Sequence, residues 1–470
     1  MSLLAQPVPP EKILAELAAL RRGDLPTHGG RLFAYVYDSG EPGLDDLAAA
    51  AHQLAASVNG LDPTAFPSLL AMENDLVAAA GSILGGGPGG VESVVGSVTG
   101  GGTESLILAV KAARDARPDV TSPRLVMPVT AHAALAKACA LLGVELDLVP
   151  VSSSTLRVDP AALAARLGPD TILVACSAPS YAHGIVDPVP AIAAAASTAG
   201  VRCHVDACFG GWTLPYLRRL GADLPPFDFS VPGVTSMSVD LHKYAYCPKG
   251  VSILLHRDEG LRLPQYFAYA DWPGYTMINP VLSSTRSGGP IAAAWATLRA
   301  IGDSGYLSLT SKTLEAVRGL GEAIAAVDGL RLLPGDSTVV AFTASRVGDL
   351  DLFVLADELA ALGWHTQPQF RHGDLPRSIH LTVTAAVAPG VPAFAADLAT
   401  AVNRTRVHGP VSVPDFDPSL PVDELAAALG FSLAPGSAMA PVNTLLDAVP
   451  PAVREQLLTA FLSYLQRPAW

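Results

Sequence analysis

The chain has 470 residues, of which 50% are hydrophobic and 16% charged, and it carries a net charge of −13. This length predicts at least two lobes, and the apolar content excludes a disordered chain. The acidic balance, without any run of basic residues, argues against nucleic acid or an anionic membrane surface as a partner.

The cysteines and the N-terminus indicate the compartment. Five cysteines show no Cys-x-x-Cys spacing, and the N-terminus lacks a charged region followed by an apolar core. An odd cysteine count in a long chain without a signal sequence is typical of reduced proteins. The apolar runs are interrupted well short of a membrane span. We therefore expect a soluble, cytoplasmic protein that does not enter a membrane.

Residues 1–60 form a separate N-terminal segment in this interpretation. Apolar residues at helical spacing predict a helix over residues 11–22, which Gly23 and Pro26 end. A short aromatic stretch at 31–40 follows as a strand or ordered loop. A second helix is predicted over 44–58.

Residues 61–310 are predicted to form a large α/β domain. After a helix at 68–84, short apolar strands alternate with helices, which predicts a doubly wound, mostly parallel sheet covered on both faces. The expected strands are 91–98, 124–128, 145–150, 171–177, 201–207 and 236–240, and the expected helices are 106–114, 132–142, 160–167 and 189–199.

Residues 311–470 are predicted to form a smaller C-terminal α/β domain. Its expected helices are 312–327 and 350–362, and its expected strands are 339–343 and 378–383. A proline-rich connector over 411–421 leads to a terminal helix at 452–465.

The segment Thr99-Gly-Gly-Gly-Thr-Glu-Ser is typical of a phosphate cradle. Its glycines let backbone amides approach an anion, Thr103 adds a hydroxyl, and the following helix offers its positive end. The alternative is a strand-to-helix turn that needs glycine for its conformation only.

Asp206 ends an apolar strand, where a carboxylate is costly unless it has a positive partner. The protonated ring nitrogen of a cofactor would be such a partner, and a helix cap is the alternative. Cys203, His204 and Cys208 raise the question of a metal. Their spacing lacks the usual second pair of ligands, so we expect no metal.

Lys243 follows His242 shortly after a predicted strand, beside apolar and aromatic neighbours. Partial burial lowers the pKa of a lysine, which imine chemistry requires, whereas a solvated surface lysine is the alternative. His132 could cover a flat ring, although a lone histidine is more often structural. An imine lysine, an acid, a flat cover and a phosphate cradle are together what pyridoxal phosphate needs.

In this order, these features resemble the pyridoxal phosphate-dependent group II decarboxylase family, and within it the sphingosine-1-phosphate lyase-like proteins. The resembling segments are Val98-Thr-Gly-Gly-Gly-Thr-Glu-Ser, Thr130-Ala-His-Ala-Ala, His204-Val-Asp-Ala-Cys, Asp240-Leu-His-Lys-Tyr, Pro248-Lys-Gly, Asp271-Trp and Ser284-Thr-Arg-Ser-Gly-Gly.

The resemblance implies the PLP-transferase fold (aspartate aminotransferase-like, fold type I) and a homodimer with shared active sites, to which residues 1–60 contribute. It implies that Lys243 forms a Schiff base with the cofactor, that Asp206 faces its ring nitrogen and that His132 stacks on its ring. The other cofactor-binding residues it implies are Gly101, Gly102, Thr103, Ala207 and His242, with Gly288 reaching the cofactor of the neighbouring subunit. The substrate-binding residues it implies are Tyr37, Asn59, Asp62, Lys249 and Arg286, and the candidate proton donors are Lys243, Tyr37 and Tyr244.

Two departures from the family pattern lie on the substrate side. Asn59-Gly-Leu-Asp62 replaces an Asn-x-x-His motif, and Met277-Ile-Asn-Pro replaces Tyr-x-Ser-Pro. An aspartate repels a phosphate by on the order of 1 kcal/mol or more where water is excluded. The residues expected to bind the cofactor are unaffected.

The implied function is a pyridoxal phosphate-dependent carbon–carbon lyase acting on an amine or amino acid, through aldol-type cleavage of a 2-amino-3-hydroxy compound. An amino-acid decarboxylase on the same fold is one alternative. An aminotransferase is another, because Arg371 and Arg377 are available for an α-carboxylate. A non-catalytic cofactor-binding relative is the third, and the joint presence of Lys243, Asp206 and His132 argues against it.

Overall fold

The computed structural model describes residues 3, 6–275, 277–412, 420, 421, 424 and 437–468. Its helices are α1 Pro10–Leu20, α2 Leu44–Ala55, α3 Pro67–Ile83, α4 Gly102–Asp115, α5 Ala133–Leu142, α6 Pro160–Ala164, α7 Val189–Thr198, α8 Leu214–Arg219, α9 Glu259–Arg262, α10 Gly288–Ala325, α11 Leu352–Ala361, α12 Val391–His408, α13 Ala440–Ala448 and α14 Pro451–Leu465. Its strands are β1 Val95–Thr99, β2 Arg124–Pro128, β3 Glu145–Val149, β4 Thr171–Ser177, β5 Arg202–Asp206, β6 Ser236–Asp240, β7 Ser252–His256, β8 Phe267–Tyr269, β9 Met277–Asn279, β10 Leu330–Leu332, β11 Val339–Ala344, β12 Gln367–Gln369 and β13 Ser378–Thr382.

The large lobe is built on a seven-stranded sheet in the order β1-β7-β6-β5-β4-β2-β3. The strands from β6 to β3 run parallel, whereas β7 is antiparallel to both of its neighbours. Every residue of β4, β6 and β7 is buried, as expected for strands with helices on both faces. The doubly wound, mostly parallel sheet is confirmed, and β7 is an additional strand that was not predicted.

Strand register places the polar side chains that matter at one edge of this sheet. Ser177 at the end of β4 lies opposite Asp206 at the end of β5, which in turn lies opposite Ser238 of β6. Asp240 ends β6 two residues further on. The carboxyl ends of parallel strands are where doubly wound folds bind ligands.

The long helix α10 links the two lobes. It runs from Gly288 to Ala325 with a kink at Gly302, where φ is 62°. The predicted helix over 312–327 is therefore only the second half of a longer one. Glycine and proline at its start disguise the beginning of the helix. The proposed domain boundary at residue 310 lies inside this helix, and the division at residues 60 and 310 stays a prediction.

The small lobe is a four-stranded antiparallel sheet in the order β10-β11-β13-β12, which α10 and α11 contact. Helix α12 packs against these two helices. Its core contains a cluster of Phe33, Trp364 and Phe394, with ring centroids 5.3 to 6.0 Å apart. Phe33 comes from the N-terminal segment, which pairs with the small lobe through Leu32 and His365. The aromatic stretch at 31–40 therefore helps to complete the small lobe.

One helical segment among the described residues, Ala385–His408, is long and apolar enough to cross a membrane by length and composition. It includes α12, which buries Phe394, Leu398 and Val402 in the core of the small lobe. Core helices often pass the same test, so this segment is weak evidence for a membrane span.

The C-terminal helices α13 and α14 pack onto the small lobe through Asp447. The carboxylate of Asp447 is fully buried and accepts hydrogen bonds from Arg371 N (2.8 Å), Arg371 Nε (3.2 Å) and Arg377 Nε (2.5 Å). The guanidinium of Arg454 in α14 lies 4.7 Å from the ring centre of Phe370. Helix α13 was not predicted, and residues 413–419 of the predicted connector lie outside the described residues.

Candidate active site

A cavity of about 310 Å³ lies at the carboxyl edge of β4, β5 and β6, beside the beginning of α4. Its lining residues are Gly101, Gly102, Thr103, Leu106, His132, Ser177, Pro179, Tyr181, Asp206, Cys208, Phe209, Asp240, His242 and Lys243. The cavity thus brings together seven of the predicted cofactor residues. An eighth, Ala207, is fully buried and does not line the cavity.

The cradle at the start of α4 has no room for a side chain at Gly102. A Cβ on Gly102 would lie 2.7 Å from Asp240 Oδ1 and 2.9 Å from Cys208 Sγ. Glu104 braces the turn by accepting hydrogen bonds from Gly100 N (2.5 Å) and Leu282 N (2.9 Å). The first amides of α4 therefore face the cavity at the positive end of a helix, which fits a phosphate group.

His132 caps the N-terminus of α5 on the cavity wall. Its Nδ1 accepts a hydrogen bond from Ala134 N at 3.2 Å, which fixes the ring at the edge of the cavity. The nearby hydroxyl of Thr130 is buried without a partner in the described part of the chain. A fixed ring on the cavity wall fits a bound aromatic cofactor. Thr130 does not line the cavity.

Asp206 is buried at the end of β5 with its side chain directed into the cavity. Its Oδ1 accepts hydrogen bonds from Cys208 N (3.1 Å) and Ser238 Oγ (3.4 Å). Below it, the ring nitrogens of His204 lie 2.9 and 3.2 Å from the hydroxyls of Ser236 and Ser238. Burial lowers the pKa of His204 to about 4, so this histidine is a neutral support for the strand ends.

Lys243 lies in the turn after β6, and its Nζ is 3.0 Å from Asp240 Oδ2. Burial by itself acts to lower the pKa of Lys243, but the nearby Asp240, Cys208 and Asp206 outweigh it and raise the pKa above its ordinary value. The expected lowering through burial is therefore wrong, because that expectation left out the charge of Asp240. Asp240 ends a predicted strand three residues before Lys243, and this spacing could have indicated that the two side chains form an ion pair.

The remaining predicted phosphate ligand, His242, lines the cavity beside this ion pair. Its Nδ1 lies 3.1 Å from the carbonyl oxygen of Val251, and its Nε2 lies 3.6 Å from Asp240 Oδ2. Burial lowers the pKa of His242, although Asp240 acts in the opposite direction. The ring is therefore held between β6 and β7.

An aromatic wall stands beside Lys243. The ring of Phe209 lies 5.8 Å from Lys243 Nζ, and the rings of Tyr37 and Tyr181 pack edge-on against it. Burial, with Tyr181 and Asp240 nearby, raises the pKa of Tyr37. Tyr37 lies behind this wall and lines a neighbouring cavity. The hydroxyl of Tyr244 donates to the carbonyl of Val383 at 2.8 Å, so Tyr244 is not a free proton donor.

Tyr181 was missed by the sequence analysis, and the small lobe holds it in place. Its ring stacks on that of His380 from β13, with centroids 4.5 Å apart. His380 Nδ1 lies 3.2 Å from the carbonyl oxygen of Ala182, and its Nε2 lies 2.8 Å from Thr382 Oγ1. Tyr181 follows the end of β4 by four residues, and this position could have indicated that it lies near the site. Its contact with His380 can be seen only in the folded chain.

Lys249, another predicted substrate residue, lies beside Tyr37 and does not line the cavity. Its Nζ donates to the carbonyl of Tyr35 at 2.8 Å and lies 5.2 Å from the ring centre of Tyr37. Although the side chain reaches solvent, partial burial of its amine and the nearby charge of Lys243 lower its pKa to about 8.

The other predicted substrate residues do not line the cavity of their own chain. Arg286 forms an ion pair with Glu73 and donates to the carbonyl of Gly60. Asp62 is exposed and accepts hydrogen bonds from Thr64 N and Oγ1 (2.8 and 2.6 Å). Asn59 Oδ1 accepts from Leu61 N, and Gly288 packs against Val58 at the start of α10.

The two arginines considered for a substrate carboxylate are already occupied. Arg371 and Arg377 both bind Asp447, which anchors the C-terminal helices. This pairing weighs against the aminotransferase alternative, which stays a hypothesis. The pairing could not be predicted, because Asp447 lies 70 or more residues away in sequence and meets both arginines only in the folded chain.

Known proteins resemble this chain along most of its length. Residues 32–342 match the family described as the pyridoxal-dependent decarboxylase conserved domain. Residues 411–464 match a C-terminal HTH domain of pyridoxal-dependent enzymes. The sphingosine-1-phosphate lyase of Dictyostelium discoideum is 37% identical over 425 residues, which cover 89% of this chain and 76% of the relative.

Two solved structures extend the comparison. The sphingosine-1-phosphate lyase of Burkholderia pseudomallei matches with a TM-score of 0.80 and 33% identity, over 87% of this chain and 94% of that one. The glutamate decarboxylase of Lactobacillus brevis matches with a TM-score of 0.75 over 86% of this chain and 95% of that one. At 20% identity, the second match bears on the fold alone.

Proposed function

The chain belongs to the pyridoxal-dependent decarboxylase family, close to the sphingosine-1-phosphate lyases within it, and on that premise we propose that it cleaves the Cα–Cβ bond of a phosphorylated 2-amino-3-hydroxy compound. It is a pyridoxal phosphate-dependent carbon–carbon lyase. The observation that carries the proposal is a single cavity in which Lys243, Asp206 and His132 meet, in a chain 37% identical to such a lyase.

The cofactor roles implied by the resemblance are supported by the residues that line the cavity. We propose that Lys243 forms the Schiff base, that Asp206 faces the ring nitrogen and that His132 covers the ring. The amides at the start of α4, with Thr103 and His242, hold the phosphate. When bound, pyridoxal phosphate supplies an electron sink for the bond that breaks.

Aldol-type cleavage needs two proton movements from the chain. A base must take the proton of the 3-hydroxyl as the aldehyde forms, and an acid must protonate the carbon left on the amine fragment. Lys243 lines the cavity and is the candidate for this acid. Tyr37 is protonated at neutral pH because burial raises its pKa, but it lies behind the aromatic wall. The amine of Lys249, with a pKa of about 8, is the neighbouring group that can accept a proton near neutral pH.

A substrate panel tests the function directly. The purified holoenzyme is incubated with a sphingoid base 1-phosphate, the unphosphorylated sphingoid base and a set of amino acids. We expect a long-chain aldehyde and phosphoethanolamine in equal amounts from the phosphorylated compound, because cleavage of one bond releases both. Aldehyde is measured by derivatisation, phosphoethanolamine by mass spectrometry and carbon dioxide by gas trapping.

The same panel separates the alternatives. Carbon dioxide from an amino acid without aldehyde would show that the chain is a decarboxylase. Keto acid with conversion of the cofactor to its amine form would show an aminotransferase. Cleavage of the unphosphorylated base only would contradict the phosphate in the proposed substrate and would agree with an acidic residue at position 62.

We further propose that the chain acts as a homodimer with shared active sites. Two exposed apolar surfaces support this. The β8–β9 hairpin and its flanks expose Phe267, Tyr269, Trp272, Tyr275, Ile278 and Leu282, and α1 buries none of its own residues in the described chain. Such contiguous apolar surface usually marks an interface. Asn59, Asp62, Arg286 and Gly288 would then serve the cavity of the other subunit.

Light scattering on the purified protein should give twice the mass of one chain. Ile278→Glu places a charge in the middle of the exposed hairpin and is expected to shift the population to monomers with loss of activity. Val347→Glu, a change at a fully exposed apolar residue of the small lobe, is the control and should leave the mass unchanged. A monomeric wild-type protein with full activity would contradict the proposal.

A cytoplasmic location is also proposed, and cysteine usage supports it. All five cysteines are buried and free, so the fold does not depend on an oxidising compartment.

A further inference from the structure

Asp240 is the carboxylate nearest to the reactive amine in this site. In the part of the chain that the structure describes, it is the one acidic side chain within ion-pair distance of Lys243 Nζ, at 3.0 Å. Asp206, which points into the same cavity, accepts from Cys208 N and Ser238 Oγ instead. The two carboxylates of the cavity therefore have different partners.

The position of Asp240 is determined by three elements. It ends β6 opposite Ser252 of β7, whose hydroxyl donates to Asp240 Oδ1 at 2.6 Å. The start of α4 closes over it, since a Cβ on Gly102 would lie 2.7 Å from the same oxygen. Only 3% of the residue is exposed, and a carboxylate this deeply buried is costly without a positive partner.

We propose that Asp240 is the resident counter-ion of Lys243 and keeps its ε-amine as an ammonium whenever that amine is not covalently engaged. This inference rests on the proposed function. It makes Lys243 the proton store of the reaction. An N–H bond of the ammonium breaks, a C–H bond forms on the amine fragment, and Lys243 is left as the neutral amine that can re-form its covalent bond. Asp240 acts through Lys243 and is a positioning residue.

The surrounding charges agree with an ammonium at Lys243. The titratable groups that face its amine from the neighbouring elements are Asp206, Cys208, His242, Tyr181, Tyr244 and Lys249. After burial, proximity to Lys243 is the main cause that lowers the pKa of Lys249. Asp240 itself keeps a lowered pKa in spite of burial, because Lys243, His242 and the Ser252 hydroxyl stabilise its charge.

The test is a titration of Lys243 in the apoprotein, which needs neither substrate nor turnover. Acetic anhydride labels neutral amines, and mass spectrometry of the peptide containing Lys243 gives its labelling midpoint against pH. Lys12, an exposed lysine of α1, is the internal standard. We expect the wild-type midpoint of Lys243 to lie above that of Lys12, because the ammonium persists to higher pH when a carboxylate is paired with it.

Asp240→Asn is expected to lower the midpoint of Lys243 by about one pH unit or more, which corresponds to about tenfold more labelling at a pH below both midpoints. Asp240→Glu keeps the charge and should restore most of the shift. Asp206→Asn removes a carboxylate from the same cavity and should shift the midpoint by less than half as much.

Two results would overturn the proposal. One is a wild-type midpoint for Lys243 below that of Lys12, which can be measured even if the variants fold poorly. The other is an equal shift in the Asp206 and Asp240 variants, which would mean that general cavity charge and no specific pair controls Lys243. The labelling midpoints do not depend on which substrate the enzyme cleaves. A negative result in the substrate panel would therefore contradict the proposed function and leave the pairing of Asp240 with Lys243 to be judged by labelling alone.

Discussion

Lys243→Ala is expected to lower lyase turnover by roughly 10⁴-fold or more, because the proposed Schiff-base lysine lines the cavity in which the proton must also be delivered. The purified variant should lack the absorbance band of covalently held cofactor, a band that borohydride abolishes in the wild type. Absorbance spectra and single-turnover assays measure the two effects independently.

Lys111→Ala is the matched control for this change. Lys111 is also a largely buried ammonium, bound to the carbonyls of Pro264 and Tyr266 at 2.8 and 2.7 Å, but it does not line the cavity. Its loss should reduce stability and leave the absorbance band in place. A Lys243→Ala protein that kept the borohydride-sensitive band would show that another amine holds the cofactor.

Asp206→Asn is expected to reduce kcat/KM by roughly 10²–10⁴-fold. Breaking a buried charge pair costs about 3–5 kcal/mol, and each 1.36 kcal/mol of barrier is about tenfold in rate. The amide keeps the shape of the side chain and can still accept from Cys208 N, so the loss should come from the missing charge opposite the ring nitrogen. Steady-state kinetics and cofactor titration measure it.

Asp228→Asn controls for the loss of any buried aspartate. Asp228 is 5% exposed and pairs with Arg218 away from the cavity. The Asp228→Asn substitution should lower the melting temperature without changing the affinity for the cofactor. If Asp206→Asn lost only stability in the same way, the assignment of Asp206 to the ring nitrogen would be wrong.

The residues that can be located from sequence are those that end a strand or begin a helix. Gly102, His132 and Asp206 each occupy such a position, and Lys243 follows the end of β6 by three residues. Parallel strands collect such positions at one edge. The alternation of apolar strands with helices likewise predicts the large sheet. Local pattern and tertiary position agree at these residues.

Other parts of the site depend on contacts between distant segments. The stack of Tyr181 on His380 joins residues about 200 positions apart, and the ion pairs of Asp447 join three segments of the C-terminal part. The hydrophobic periodicity of a sequence predicts helices and strands but not contacts between distant side chains. The direction of the pKa shift at Lys243 was missed for a related reason. Burial and charge act on it in opposite directions, and the balance depends on how close the fold brings Asp240.

The aromatic cluster of the small lobe bears on how the chain folds as it is made. The seven strands of the large sheet are all present once His256 has left the ribosome, whereas Phe33 packs against Phe394, which follows it by about 360 residues. At roughly 5–20 residues per second, synthesis of that stretch takes on the order of 20 to 70 seconds. During that interval Phe33 has no core to enter, and the start of the nascent chain presents an apolar side chain that a chaperone can bind.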